Sequence, residues 1–355
     1  MSRQAAVGGS GETVASRVIS WARRAPIVDR VNPLATLSMP LLDEDMRRFE
    51  PLLAESIIIG DPFLDEVTTH LLAAGGKRLR PLLAIASATG GDHEGTQDDL
   101  LGGVSLELMH LASLYHDDVM DEATMRRNVE SVNSRFGNLV AIVAGDFLMA
   151  RSAAIAADLG TPVASLLART LALLTRGQVS EVRTAFDVNR TMDDYYEAIT
   201  GKTAALMASS CRVGALTSGA SEERTEALDA YGEAIGLVFQ LRDDILDITA
   251  VDGQLGKPAG QDLAEGIYTH PVLVALADPT IGPRLGEILG APLDDDQREA
   301  ARLLVAESDG IAASMAAALG HVDEAVSATD GFGSATLKQG FSDLARSLLV
   351  GLPEV

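Results

Sequence analysis

Leu100–Tyr115 reads LLGGVSLELMHLASLY, with apolar side chains on nearly every side of a helical projection. That is the pattern of a helix buried on most of its faces. Leu139–Leu159, Pro162–Val179, Tyr195–Gly214 and Arg224–Ile248 read the same way. Glycine and proline punctuate them at Gly90-Gly91, Gly160–Pro162, Gly219 and Gly256–Gly260. Few segments alternate with period two. Hydrophobic residues make up 47% of the 355 while aromatics are only 4%, so the core is built from Ala, Leu, Val and Ile. Ala and Leu are strong helix formers. The expectation is one all-α domain over residues 36–355, preceded by an extension over residues 1–35.

The extension differs in composition. It holds Gly8, Gly9 and Gly11, then Arg17, Arg23, Arg24 and Arg30 around the single Trp21. No apolar stretch precedes a small-residue cleavage site, so a signal peptide is not indicated. A disordered or loosely docked segment is the first reading, and an amphipathic helix on an anionic membrane surface the second. No run of uncharged apolar residues is long enough for a membrane span. Fifty-one acidic residues against 28 basic ones, net −23, argue against non-specific nucleic-acid binding. An anionic substrate would therefore need a local basic patch or bound cations. Cys211 is the only cysteine, which excludes an internal disulfide and a cysteine-based zinc cluster. It reads as the buried thiol of a reduced, cytoplasmic protein.

Two aspartate clusters stand inside the apolar helical runs. Asp117, Asp118 and Asp121 form DDVMD, and Asp243, Asp244 and Asp247 form DDILD. With 3.6 residues per turn, positions i and i+4 lie ~40° apart and i+1 within ~100° of the first. Each cluster thus crowds carboxylates near one helix end, which is costly unless cations sit between them. Hard oxygen donors suit Mg²⁺, which commonly keeps waters and takes substrate phosphates as well. Other acidic groups read as decoys. Asp98-Asp99 has no third acid in register, while Asp294–Asp296 and Asp193, Asp194 with Glu197 look like first turns of helices. His116-Asp117 could suggest a metal phosphohydrolase dyad, but no histidine-rich centre supports it.

The few cations are grouped. Gly75–Pro81 reads GGKRLRP, placing Lys77, Arg78 and Arg80 after a flexible turn. Arg126 and Arg127 follow the first aspartate cluster, Lys202 sits in Gly201-Lys202-Thr203, and Lys257 in Gly256-Lys257-Pro258. Guanidinium and ammonium groups beside carboxylate-bound Mg²⁺ make a diphosphate site. The GKT at 201–203 is not a phosphate-binding loop, because the preceding glycine and strand are missing.

GGKRLRP, HDDVMDEATMRR, AGDFLMA, GKTAAL, FQLRDDILD and GKPAGQDLAEG occur in this order over residues 70–275. Together they closely resemble the all-trans polyprenyl diphosphate synthase family. The resemblance implies a single-domain bundle of long helices around a deep central cavity, a homodimer, and Mg²⁺-dependent condensation of isopentenyl diphosphate with an allylic diphosphate. Asp117, Asp121 and Asp243 would hold about three Mg²⁺ on the allylic diphosphate, with Asp118, Asp244 and Asp247 in support. Arg126, Lys202 and Lys257 would take the remaining diphosphate charge, Gln240 would assist, and Thr203 would also contact substrate. Lys77, Arg80, His110 and Arg127 would hold isopentenyl diphosphate. Departure of the allylic diphosphate leaves a cation that the isopentenyl double bond attacks, and a proton is then lost. Two positions depart from the usual pattern: Ile267 stands where Lys is frequent, and His270 where Leu is frequent.

In this family the side chains below the first aspartate motif limit product length. Here they are Ala112 and Ser113, with Met109 a turn deeper. Both upper residues are small, which implies a long product, about C30–C50, as in synthases of quinone side chains, in a cavity open to that length. Such a product would bring peripheral membrane contact. Geranylgeranyl or farnesyl diphosphate is the short-chain alternative. A terpene cyclase would replace the second aspartate motif, and a non-catalytic regulatory subunit would lose a motif or the GGKRLRP cations; neither loss occurs here. On this reading Ala112→Phe shortens the product formed from labelled isopentenyl diphosphate.

Overall fold

The computed structural model describes residues 32–250 and 259–353. The expectations for the segment around Trp21 and for Lys257 lie outside the described residues. The first described helix, Pro33–Leu37, straddles the expected boundary at residue 35 and buries both Pro33 and Leu37.

Two long helices carry the aspartate motifs. The first, Gln97–Met120, has 24 residues and starts in a capping box: the Thr96 hydroxyl accepts from Asp99 N, and Asp99 Oδ2 accepts from Thr96 N. The second, Glu222–Thr249, has 28 residues and is capped by Ser221. The acidic groups at Asp193–Asp194 and Asp294–Asp296 open helices as expected, and Asp99 proves to be part of a cap as well. Asp99 serves the first helix, Asp194 closes a capping box with Thr191, and Asp294 closes one with Gln297. The first aspartate helix packs on Asn138–Asp158. The second lies between Ala205–Thr217 and Gly310–Ala328.

Among the described residues one unbroken helix, Asn138–Asp158, is long and apolar enough to cross a membrane. It carries Asp146 and Arg151 and buries Ala141, Ala144, Leu148, Ile155 and Ala156 inside the domain. Leu139, Ile142 and Val143 are left exposed.

The one departure from all-helical structure among the described residues follows the first aspartate motif directly. Met125–Arg126 pairs antiparallel with Val129–Glu130, joined by Arg127 and Asn128 in left-handed conformation. Two consecutive positive φ values are what a tight hairpin turn requires. This hairpin is too short to show as period-two alternation.

Backbone approaches backbone where the functional helices cross. A Cβ on Gly214 would lie 2.0 Å from the Ala84 carbonyl oxygen, and Cβ atoms on Gly232 and Gly236 would strike Ala208 and Ala204. The second aspartate helix therefore rests on its neighbour almost without intervening side chains. Gly214→Ala should destabilise the protein by about 2–3 kcal/mol, because the obstacle is a backbone carbonyl that cannot rotate away. Gly320→Ala, at an exposed helical site with open space around it, should stabilise by about 0.5–1 kcal/mol. Thermal or urea unfolding of the two variants would distinguish them.

Candidate active site

The end of the first aspartate helix separates two cavities. One, of 480 Å³, is lined by Lys77, Arg80, His110 and Arg127 together with Glu107 and Phe239. The other, of 360 Å³, is lined by Ser113, Asp117 and Lys202 at one side and by Met149, Leu171 and Leu174. Glu107, His110, Ser113 and Asp117 recur at intervals of three and four residues, so one helical face borders both cavities. The four residues expected to hold isopentenyl diphosphate are thus brought into one cavity.

The loop that carries Lys77 and leads to Arg80 is built around Arg78, a cation left unassigned by sequence. It adopts φ 48°, is buried, and donates to Glu50 through Nε and to the buried Glu107 through Nη1, each at 2.9 Å. Arg127, at the hairpin tip, reaches back to donate to the Gly75 carbonyl. A Cβ on Gly76 would press on its guanidinium at 3.0 Å. Burial pushes Arg80 down to about 10, with Glu107 opposing. Burial, reinforced by Arg80, Arg127, Arg126 and Arg78, holds His110 well below the ordinary histidine range.

Within each aspartate motif the members point different ways. Asp117 is half-buried, while Asp121 and Asp243 are exposed. Asp118, Asp244 and Asp247 are buried. Asp118 accepts from Arg126 Nε at 2.7 Å, and its Oδ2 has no partner among the described residues. Asp244 accepts from Tyr195 Oη at 2.6 Å and Gln240 Nε2 at 2.9 Å. Asp247 accepts from Asp262 N through Oδ2, and its carbonyl accepts from Gly260 N. Three carboxylates therefore hold the local structure and three face outward.

Lys202 and Thr203 lie on a π-helical turn, Thr200–Ala204, absent from any sequence pattern. Such turns widen a helix locally and recur at functional sites. Gly177 and Gly201 cross so closely that a Cβ on Gly177 would sit 2.5 Å from Lys202 N. Lys202 Nζ donates to Glu181 at 2.5 Å. Burial opposes its charge, but Glu181, Asp117 and Asp121 hold the ammonium above its usual range. Thr203 Oγ1 donates to Gln240 Oε1 at 2.9 Å. The turn thus stands between the motifs, with Lys202 serving the first and Thr203 linked to the second.

Among the described residues, no three acidic, histidine or cysteine side chains converge closely enough to hold a metal ion by themselves. The donor chemistry nevertheless fits a hard divalent cation that takes further ligands from water and phosphate. Burial raises Asp117 to about 6, with Lys202 opposing and Asp121 adding, and raises Asp244 to about 7. Carboxyls so placed are stabilised by added positive charge.

Sequence reasoning missed Glu107, Glu181 and Tyr195, and Gln178, which also lines the second cavity. The available signal was slight: Gln178 and Glu181 are polar residues three apart, so they share a helix face. Ser113 lines the second cavity. Ala112 is fully buried in the main core cluster, and Met109 is buried in a smaller one.

The family model "Polyprenyl synthetase" matches residues 61–305. A nonaprenyl diphosphate synthase of Mycobacterium tuberculosis is 39% identical over 77% of this chain and 78% of its own. Heptaprenyl diphosphate synthase component 2 of Geobacillus stearothermophilus is 36% identical over 82% of this chain and 90% of its own. A polyprenyl synthase from Caulobacter crescentus, solved with calcium and isoprenyl diphosphate, superposes with a TM-score of 0.83 at 30% identity, covering 89% of this chain and 97% of that one. With the motifs, the helical architecture and these likenesses in agreement, the chain belongs to the polyprenyl synthetase family.

Proposed function

We propose that this protein is a trans-prenyltransferase that condenses isopentenyl diphosphate with an allylic diphosphate and releases an all-trans polyprenyl diphosphate of the C30–C50 class. The observation that carries this reading is the pair of cavities flanking one helix end: a polycationic one and, beside Asp117, an apolar one. The first suits a diphosphate on a small headpiece. The second suits a lengthening hydrocarbon, whose allylic end would remain beside the aspartates.

In this reading Lys77, Arg80 and Arg127 hold the isopentenyl diphosphate, with His110 as a hydrogen-bonding partner. Asp117, Asp121 and Asp243, facing outward, are the candidates to hold Mg²⁺. Bound Mg²⁺ would neutralise the allylic diphosphate and make it a viable leaving group. Lys202 presents its ammonium beside Asp117, where it would meet charge developing on that leaving group. Arg126 supports the site in a way the sequence did not suggest, because its Nε is committed to Asp118. Thr203 and Gln240 are joined to each other and orient the second motif. Met149, Leu171 and Leu174 shelter the allylic cation from water. The exposed apolar face of Asn138–Asp158, with Leu139, Ile142 and Val143, supports the homodimer that the resemblance implies.

Purified protein with Mg²⁺, labelled isopentenyl diphosphate and separate allylic primers should give a ladder ending at C30 or longer. A ladder stopping at geranylgeranyl length would overturn the long-chain part. Failure with every primer would favour a subunit that needs a partner, a reading kept open by the relative named as a synthase component. Removing the metal with a chelator should abolish turnover and Mg²⁺ should restore it. Asp117→Asn should lower kcat by about 100-fold or more, as for loss of a group stabilising transition-state charge. Ser113→Phe should shorten the product while leaving the unfolding midpoint nearly unchanged, because Ser113 borders open space. Ala112→Phe should destabilise the fold by about 1–3 kcal/mol. Light scattering should find a dimer for the wild type and monomer for Ile142→Arg.

A further inference from the structure

Asp244 follows Asp243 on the same helix, so when one carboxylate faces outward the other is rotated by about 100° into the protein. A carboxylate fully out of solvent needs donors on both oxygens. Asp244 has them: Gln240 Nε2 donates to Oδ1, and the Tyr195 hydroxyl donates to Oδ2 at 2.6 Å. Gln240 is held in turn. Its amide oxygen accepts from Thr203 Oγ1, which fixes the amide so that its NH₂ must point at Asp244. In the chain Thr203–Gln240–Asp244–Tyr195 the threonine donates to the glutamine, and the glutamine and tyrosine donate to the carboxylate.

Both ends of this chain come from one stretch of backbone. Tyr195 lies on the helix Met192–Ile199, which runs directly into the π-turn carrying Lys202 and Thr203. Tyr195 and Thr203 therefore grip the second aspartate helix from two points, with Lys202 between them facing Asp117. The Tyr195 ring is itself located. It is buried, meets the edge of His270 at 5.8 Å between centroids, and lies under the Arg190 guanidinium at 5.8 Å. His270, the residue standing where leucine is frequent, is fixed by Ser314 through Nδ1 at 2.8 Å.

We propose that Tyr195 is a positioning residue for the second aspartate motif: its hydroxyl clamps Asp244 and so sets how Asp243 is presented to a metal-bound diphosphate relative to Lys202. This rests on the reading of the site given above. None of the four clamp residues lines the cavity of Lys77, Arg80, His110 and Arg127.

Tyr195→Phe removes one oxygen and keeps the ring with its contacts to His270 and Arg190. Binding of Mn²⁺ in the presence of inorganic diphosphate, followed by paramagnetic resonance, should weaken by about 10–100-fold, the usual effect of losing a group that orients a metal ligand. The KM for isopentenyl diphosphate should change less than about twofold while kcat falls. Thr203→Val should produce a similar loss of Mn²⁺ affinity, and the double variant should lose little more than either alone, because both act through one carboxylate. Tyr196→Phe, altering the neighbouring ring that also packs on His270, should leave all these quantities unchanged. Wild-type Mn²⁺ affinity in Tyr195→Phe would overturn the proposal. So would equal weakening at both substrate sites with a lowered unfolding midpoint, which would mark a general structural role. A wild-type protein that binds Mn²⁺ and diphosphate in a Tyr195-dependent way yet condenses nothing would support the clamp and refute only the prenyltransferase reading.

Discussion

Carboxylates crowded onto the ends of two largely buried helices repel one another, and the rest of the site is organised around that repulsion. Its solution has two parts. Asp118, Asp244 and Asp247 turn inward and are met by Arg126, by Tyr195 with Gln240, and by backbone amide hydrogen bonding at Asp262. Asp117, Asp121 and Asp243 turn outward, where Lys202 and Arg242 answer part of the charge and Mg²⁺ with a substrate diphosphate would answer more of it. An acidic protein of net −23 can attract an anionic substrate only because its cations are concentrated beside these carboxylates.

That concentration depends on unusually close backbone packing. Gly177 and Gly201 allow the π-turn to lie directly on the helix Thr161–Arg183, so that Lys202 and Glu181 meet. Gly232 and Gly236 let the second aspartate helix rest on Ala204 and Ala208. Side chains at those crossings would separate the π-turn from Gln240 by more than a hydrogen bond can span. Small residues at the crossings bring Leu, Ile and Val together, and Tyr115, Tyr195, Tyr231, Tyr268, Phe49, Phe332 and Phe341 are the largest side chains fully buried in the core.

Much of the site was legible because its residue types are chemically conspicuous. Two DDxxD clusters in apolar helices cannot easily be solvated faces, and cations grouped in a cation-poor chain invite an anion. The decoys were legible for the same kind of reason, since Thr191 before Asp194 and Pro292 before Asp294 announce helix starts. Tyr195, Glu107 and Glu181 were hidden because a tyrosine or glutamate in a helical run carries no local sign of what it will meet. Arg78 shows the converse: its sequence position matches its neighbours Lys77 and Arg80, but its left-handed backbone turns it towards Glu50 and Glu107.

The sequence by itself determined the helical class, the placement of acidic and basic groups along the chain, and the chemistry those groups can perform. These are local properties, set by periodicity, capping and residue type within a few turns. Only the tertiary structure decided which carboxylate of each motif faces outward, that Ser113 and not Ala112 borders the apolar cavity, and that a π-turn joins the two motifs. Those outcomes depend on how helices distant in sequence cross. A rotation of one residue along a helix, about 100°, exchanges a buried face for an open one without altering any local preference.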